Sequence, residues 1–138
     1  MRVVIDTNCL IASIPANGDY FWLYSAFRMN QFTWVVSTEI LEEYEEQLSE
    51  FYSPETADIV LKILTTSPNV ELAVPYFRLG LMINDPDDNK FSDLAISTNA
   101  HYLVSNDKHF NIFKKIDFPP LNVVKLQEFK KLLNIIDK

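Results

Sequence analysis

Acidic side chains stand in this chain where apolar runs stop. Asp6 follows Val3-Val4-Ile5, and Asp107 follows Tyr102-Leu103-Val104-Ser105-Asn106. Between them, Asn84-Asp85-Pro86-Asp87-Asp88-Asn89-Lys90-Phe91 places a cluster of carboxylates at a helix entrance. Like charges held together repel, so stability alone gives a small domain little reason to collect them. A divalent cation turns that repulsion into binding. Hard ions such as Mg²⁺ or Mn²⁺ prefer oxygen ligands. They lower the pKa of a water and stabilise the oxygens of an in-line phosphoryl displacement. That chemistry needs no protein nucleophile, and none is well placed.

The elements that must carry these acids alternate between strand and helix. Residues 2–5 are short, apolar and β-branched, as in a buried parallel strand. After it, 9–14 is a short apolar segment closed by Pro15. A helix follows over 20–30, a strand over 33–36 and a helix over about 38–51. Ser53-Pro54-Glu55 is a helix start, with a capping Ser and Pro at the first helical position, and that helix runs to about Thr66. Next come a strand over 70–74, a short helical piece around 77–82, a helix over about 88–100 and a strand over 102–105. Asp107 opens a helix to about Lys115. Pro119-Pro120 is a loop, 121–124 a last strand and 127–136 a terminal helix. This alternation predicts an α/β fold with a mainly parallel sheet, whose ligands sit at the carboxyl ends of the strands. Asp6 and Asp107 both fall there.

In the helix over 38–51, Ile40, Leu41, Tyr44, Leu48 and Phe51 share one face. Glu43 and Glu45 border that stripe, whereas Glu42 and Glu46 point away. A bordering acid in the first two turns reaches a site at the strand ends, so Glu43 joins the candidates. On the helix over 88–100, Asp88 lies near the inward stripe and Asp93 faces roughly opposite. Structural roles compete for the same residues. Asp6, Asp88 and Asp107 are each placed to cap a turn or helix, and Glu43 sits on a Glu-rich helix that water could simply solvate. Capping and metal binding can coexist at one residue.

The bulk properties narrow the classes. At 138 residues, a single domain spanning 1–138 with a substantial core is expected. The 2 glycines argue against a Gly-rich phosphate loop and against flexible linkers. Cys9 is the single cysteine, which excludes an intramolecular disulfide, fits a reducing compartment and reads as a small buried residue. No apolar run approaches the roughly 20 residues that span a bilayer, and Asp6 breaks the N-terminal run too early for a signal peptide. A cytoplasmic protein without membrane contact is expected. The net charge of −7 opposes a non-specific nucleic-acid binder. It leaves room for a nuclease, because bound metal offsets acids within a site.

Together these stretches resemble the PIN domain, a family of small metal-dependent nucleases that includes VapC-type toxins. The matching residues are Val3-Val4-Ile5-Asp6-Thr7-Asn8, Ser37-Thr38-Glu39-Ile40-Leu41-Glu42-Glu43-Tyr44, Asp85 to Phe91 continuing to Ala95, and Tyr102-Leu103-Val104-Ser105-Asn106-Asp107. Ser105 stands where Thr is usual and keeps the hydroxyl. The run Asp-Pro-Asp-Asp-Asn-Lys-Phe is typical of the branch that supplies toxin components of toxin–antitoxin systems. The resemblance covers the whole chain in order. It implies a three-layer α/β/α fold with about five strands in the order 3-2-1-4-5, which puts Asp6 at the centre. It also implies an acidic site of Asp6, Glu43, Asp88 and Asp107, with Asn8 and Ser105 as supporting polar groups. Mg²⁺ or Mn²⁺ would be held by Asp6, Asp88 and Asp107, and Glu43 would orient the attacking water. The implied activity is endoribonucleolytic, with RNA as substrate and an antitoxin covering the site. A homodimer is expected, with Phe21, Trp22, Tyr24 and Phe27 as an exposed apolar surface.

Two rivals can be weighed on residues. Aspartyl-phosphate chemistry also uses an Asp after the first strand, but its phosphatase form wants a second Asp where this chain has Asn8. The stronger rival is a PIN-fold binding or regulatory module with little or no nuclease activity; the acidic composition favours it and the full set of four acids opposes it. His101 and His109 lack neighbours at metal-ligand spacing and read as solvated or hydrogen-bonded. Lys90, Lys108, Lys114 and Lys115 could flank the crevice and meet a phosphate backbone. Asp85 and Asp93 read as structural.

Overall fold

A computed structural model describes residues 1–75, 78–82, 86–117 and 120–135. The elements are β1 (Arg2–Ile5), α1 (Thr7–Ser13), α2 (Phe21–Arg28), β2 (Thr33–Val36), α3 (Thr38–Phe51), α4 (Pro54–Thr66) and β3 (Val70–Leu72). They continue with a 3₁₀ turn Pro86–Asp88, α5 (Asn89–Ser97), β4 (Tyr102–Val104), a 3₁₀ helix Lys108–Lys115, β5 (Val123–Val124) and α6 (Leu126–Leu132). The five strands form one sheet in the order β3-β2-β1-β4-β5, with every pair parallel. The order and the α/β/α layering are those expected from the sequence.

β1 is central, and its sequence explains why. Val3, Val4 and Ile5 are all fully buried. Successive strand residues face opposite sides, so a strand that is apolar at every position needs cover on both faces. Trp34 of β2 fills one side, with its ring edge-on to Phe27 at 5.1 Å and to Tyr44 at 6.2 Å. Tyr44 is also buried, so its hydroxyl must be satisfied inside the core. It donates to the Ile5 carbonyl and accepts from Trp34 Nε1 at 3.2 Å, which ties α3 to β1 and β2 just below the end of β1.

Helix starts follow the expected chemistry. Ser37 accepts from Ile40 N and Ser53 from Thr56 N, satisfying first-turn donors of α3 and α4. Helix ends use asparagine where glycine is common. Asn30, Asn99 and Asn134 have φ of 59°, 54° and 58° after α2, α5 and α6. Each is followed by a paired closure, for example Asn30 N to Phe27 O at 3.0 Å and Gln31 N to Ala26 O at 3.0 Å. Asn tolerates the left-handed conformation this Schellman closure requires, so the chain stops three helices without spending a glycine.

Several sequence expectations need correction. The segment 9–14 belongs to a helix, α1, capped by Asp6. The helical piece expected around 77–82 is absent over 78–82, and residue 77 lies outside the described residues, as does Asp85. Strands β3 and β5 are shorter than expected, at Val70–Leu72 and Val123–Val124. The loop at Pro119-Pro120 lies partly outside the described residues; the terminal helix, expected over 127–136, runs Leu126–Leu132 and ends there, and residue 136 lies outside the described residues. Asp93 is 3% exposed, because residues 78–82 cover the side of α5 read as outward. It accepts from Leu79 N at 3.2 Å. Phe27 is fully buried, whereas Phe21, Trp22 and Tyr24 are half-buried, Trp22 packing on Phe129, so of the four residues expected as an exposed apolar surface Phe27 belongs to the core. Among the described residues, no helix is long and apolar enough to cross a membrane.

Candidate metal and catalytic cleft

Strand register brings the first two site residues together. Ile5 pairs with Val104, so one step further along the parallel strands Asp6 stands beside Ser105. Asp6 N donates to Val104 O at 3.1 Å, and Ser105 N donates to Val124 O at 2.9 Å. β1 and β4 flank the point where strand order reverses, the place where open parallel sheets bind ligands.

Asp6 is 6% exposed. One carboxylate oxygen accepts from Cys9 N at 2.9 Å, capping α1, and the other accepts from the Ser105 hydroxyl. Burial pushes its pKa above the ordinary carboxylate value. The Ser105 and Cys9 bonds oppose that shift, and the nearby Asp107 charge adds to it. Ser105 also accepts from Asp107 N at 3.0 Å, so one hydroxyl fixes both acids at the sheet end. Cys9 is buried, as expected, and its thiol is pushed well up by burial and by Asp6.

Asp107 accepts from His109 N at 2.9 Å, the turn that starts the 3₁₀ helix. Asp88 sits at the N-cap position of α5 without a capping bond from its side chain. Glu43, on the second turn of α3, accepts from the Thr7 hydroxyl on one oxygen and pairs with Lys90 Nζ at 2.8 Å on the other. Asp6, Glu43, Asp88 and Asp107 line a single opening of about 140 Å³, together with Thr7, Asn8, Gln47 and Phe91. The structure thus brings all four sequence-selected acids to one cleft, with Asn8 exposed at its mouth and Ser105 buried beneath it. Glu42 and Glu46 do point away from it, into an adjoining groove that Asp87 and Glu39 also line.

Three contributors were not selected from sequence. Thr7 and Gln47 are uncharged and carry no spacing signal of their own. His109, read as solvated or hydrogen-bonded, is exposed and paired with Asp107, and it stands with the acids: single donor atoms of Asp88, Asp107 and His109 all lie within 4.8 Å of one another. His101 does behave as read, accepting from Arg2 N at 3.0 Å on the surface at the other end of the sheet. Of the lysines, Lys90 pairs with Glu43 and lines the adjoining groove, while Lys108, Lys114 and Lys115 are exposed on the 3₁₀ helix. Carboxylates fixed around an opening of this size, with one imidazole beside them, form a donor set suited to a divalent ion.

Comparison with known proteins agrees with the fold. The family model described as PIN domain matches residues 2–109. Among solved structures, the chain is similar to VapBC2 from Rickettsia felis, bound there to a DNA fragment from its promoter. Identity is 21%, coverage 91% of this chain and 98% of the other, and the TM-score 0.60. It is also similar to VapBC-1 from nontypeable Haemophilus influenzae, at 17% identity, 92% and 99% coverage and a TM-score of 0.59. At such identities the likeness is one of fold.

Proposed function

The chain belongs to the PIN domain family, and from that membership we propose that it is a Mg²⁺- or Mn²⁺-dependent endoribonuclease, the toxin of a toxin–antitoxin pair. The observation that carries this reading is the convergence of Asp6, Glu43, Asp88 and Asp107, from four separate segments, on one opening. Asp6, Asp88 and Asp107 would hold the ion. The chemistry such an ion supplies is polarisation of the phosphodiester and a lowered pKa for water.

The protein's own groups do the rest. Ser105 ties the Asp6 carboxylate to the Asp107 backbone, so the start of the Asp107 turn is held beside Asp6 before an ion binds. Thr7 and Lys90 hold the Glu43 carboxylate over the opening, where it orients the attacking water and receives its proton. Asn8, at the mouth, is placed to hydrogen-bond a phosphate or ribose oxygen of the RNA. The fold likeness to two VapBC proteins supports a protein antitoxin as partner, tested by co-purification with the product of an adjacent reading frame. A homodimer is tested by sedimentation of the purified chain.

A second reading, a binding module without turnover, is favoured by the acidic groove of Glu39, Glu42, Glu46 and Asp87 next to the cleft, which repels a phosphate backbone. One experiment separates the two. A pool of single-stranded RNAs is incubated with the protein in Mn²⁺, in Mg²⁺ and in EDTA, beside Asp6→Asn and Asp88→Asn. Metal-dependent cleavage lost in both variants supports the nuclease. A folded protein that neither cuts nor responds to metal is the binding module.

A further inference from the structure

We propose that His109 is a ligand of the metal centre, and that its imidazole tilts the centre toward Mn²⁺ and later transition ions over Mg²⁺. This rests on reading the cleft as a metal site and goes beyond the carboxylate set. The local sequence explains why the imidazole is there. Asp107 turns the chain by accepting from His109 N, two residues on, and this folds the ring back over the carboxylate that makes the turn. His109 Nδ1 lies 3.2 Å from Asp107 Oδ1, and donor atoms of Asp88, Asp107 and His109 are mutually within 4.8 Å. Ligands sharing an ion at bonds of about 2.1 Å stand roughly 3–4 Å apart. The trio therefore needs only a small side-chain adjustment, which the half-exposed His109 can make at the rim.

The preference follows from donor chemistry. Mg²⁺ keeps an oxygen shell and gives up water reluctantly, so a nitrogen donor gains it little. Imidazole suits transition ions, and affinity for them rises along the series from Mn²⁺. An Asp-Asp-His set adds one nitrogen to an oxygen site, enough to discriminate between ions.

The chain has 2 histidines, which makes a spectroscopic assignment unambiguous. Mn²⁺ alone is added to the purified protein, to His109→Ala and to His101→Ala, and pulsed electron paramagnetic resonance reads ¹⁴N coupling to the bound ion. The coupling is expected in the unmodified protein and in His101→Ala, and is expected to vanish in His109→Ala. Mn²⁺ affinity in His109→Ala should fall about tenfold or more, while Mg²⁺ affinity changes far less. Mn²⁺ bound at Asp88, shown by loss of binding in Asp88→Asn, but without nitrogen coupling would overturn the ligand assignment and leave an all-oxygen centre. No Mn²⁺ binding by the folded protein would overturn the metal centre and this inference together.

Discussion

Lys90 Nζ lies 2.8 Å from Glu43 Oε1, on the groove side of the residue that borders both the four-acid cleft and the acidic groove beside it. The two side chains are only 20% and 22% exposed, so water screens the pair incompletely. The ammonium is thus a resident cation among acids. Lys90→Met should lower the stability of the metal-free protein by about 1 kcal/mol. It should also raise affinity for Mg²⁺ severalfold, because one positive charge leaves the neighbourhood of the incoming ion. Calorimetric titration checks this. Weaker Mg²⁺ binding in the variant would show instead that Lys90 chiefly holds Glu43 in position.

Asp6→Asn should separate stability from activity. Burial raises the Asp6 pKa, so its stabilising contribution is complete below the ordinary carboxylate value and is lost as pH rises through the raised one. Above that point the charge on the buried carboxylate destabilises the metal-free fold. Asn removes that charge, keeps an acceptor for Cys9 N and lets the Ser105 hydroxyl turn to accept. Metal-free Tm at pH 7 is expected to rise, the Mn²⁺-induced rise in Tm to disappear, and RNA cleavage to fall by more than about 100-fold. A lower metal-free Tm would contradict the electrostatic account.

Ser105 donates to Asp6 and accepts from Asp107 N. Ser105→Ala leaves a buried carboxylate oxygen and a backbone N–H without that partner, at a cost of about 1–3 kcal/mol. Metal affinity should drop about tenfold as the Asp6 carboxylate loses its tie to the Asp107 backbone. Ser105→Thr keeps the hydroxyl and should restore both quantities; denaturant titration and Mn²⁺ binding read them. An alanine variant that binds metal normally would remove Ser105 from the site.

Asp93 makes a pH prediction away from the cleft. Burial raises its pKa, while the bonds from Leu79 and Gly80 backbone and the charge of Arg78 pull it down. Its contribution is present below the ordinary carboxylate value and is lost as pH climbs through the raised value. Stability of Asp93→Asn, which keeps an acceptor for Leu79 N, should match the parent at low pH and exceed it at neutral pH. Urea midpoints across that range decide. Parallel pH curves would mean that Asp93 does not titrate with folding.

Much of the fold is legible in the sequence because its signals are local. β2, α3 and α4 begin and end where the sequence places them, since Ser37, Ser53 and Pro54 announce helix starts within one turn. The four acids are legible through strand ends and wheel position, which register then turns into proximity. The rest depends on contacts that no local pattern encodes. Lys90 finds Glu43 across 47 positions. Asp93 is buried by a segment without regular structure. α1 is hard to see because its cap, Asp6, also marks the end of a strand. His109 is hidden because a single tight turn, with no periodic signature, carries it to the acids.

The bond between Ser105 and Asp6 spans 99 positions of chain. During synthesis, Asp6 leaves the ribosome well before Ser105, and β1 can first pair only with the nearby β2. The helical pair α3 and α4 can form from local contacts, but the second wall of the cleft is β4 with the turn from Ser105 to His109. A nascent or truncated chain that stops before Val104 lacks both Asp107 and the hydroxyl that holds Asp6, and has no enclosed opening. The cleft therefore cannot close until the chain has reached the turn after β4, so its two walls are joined late relative to β1 and β2.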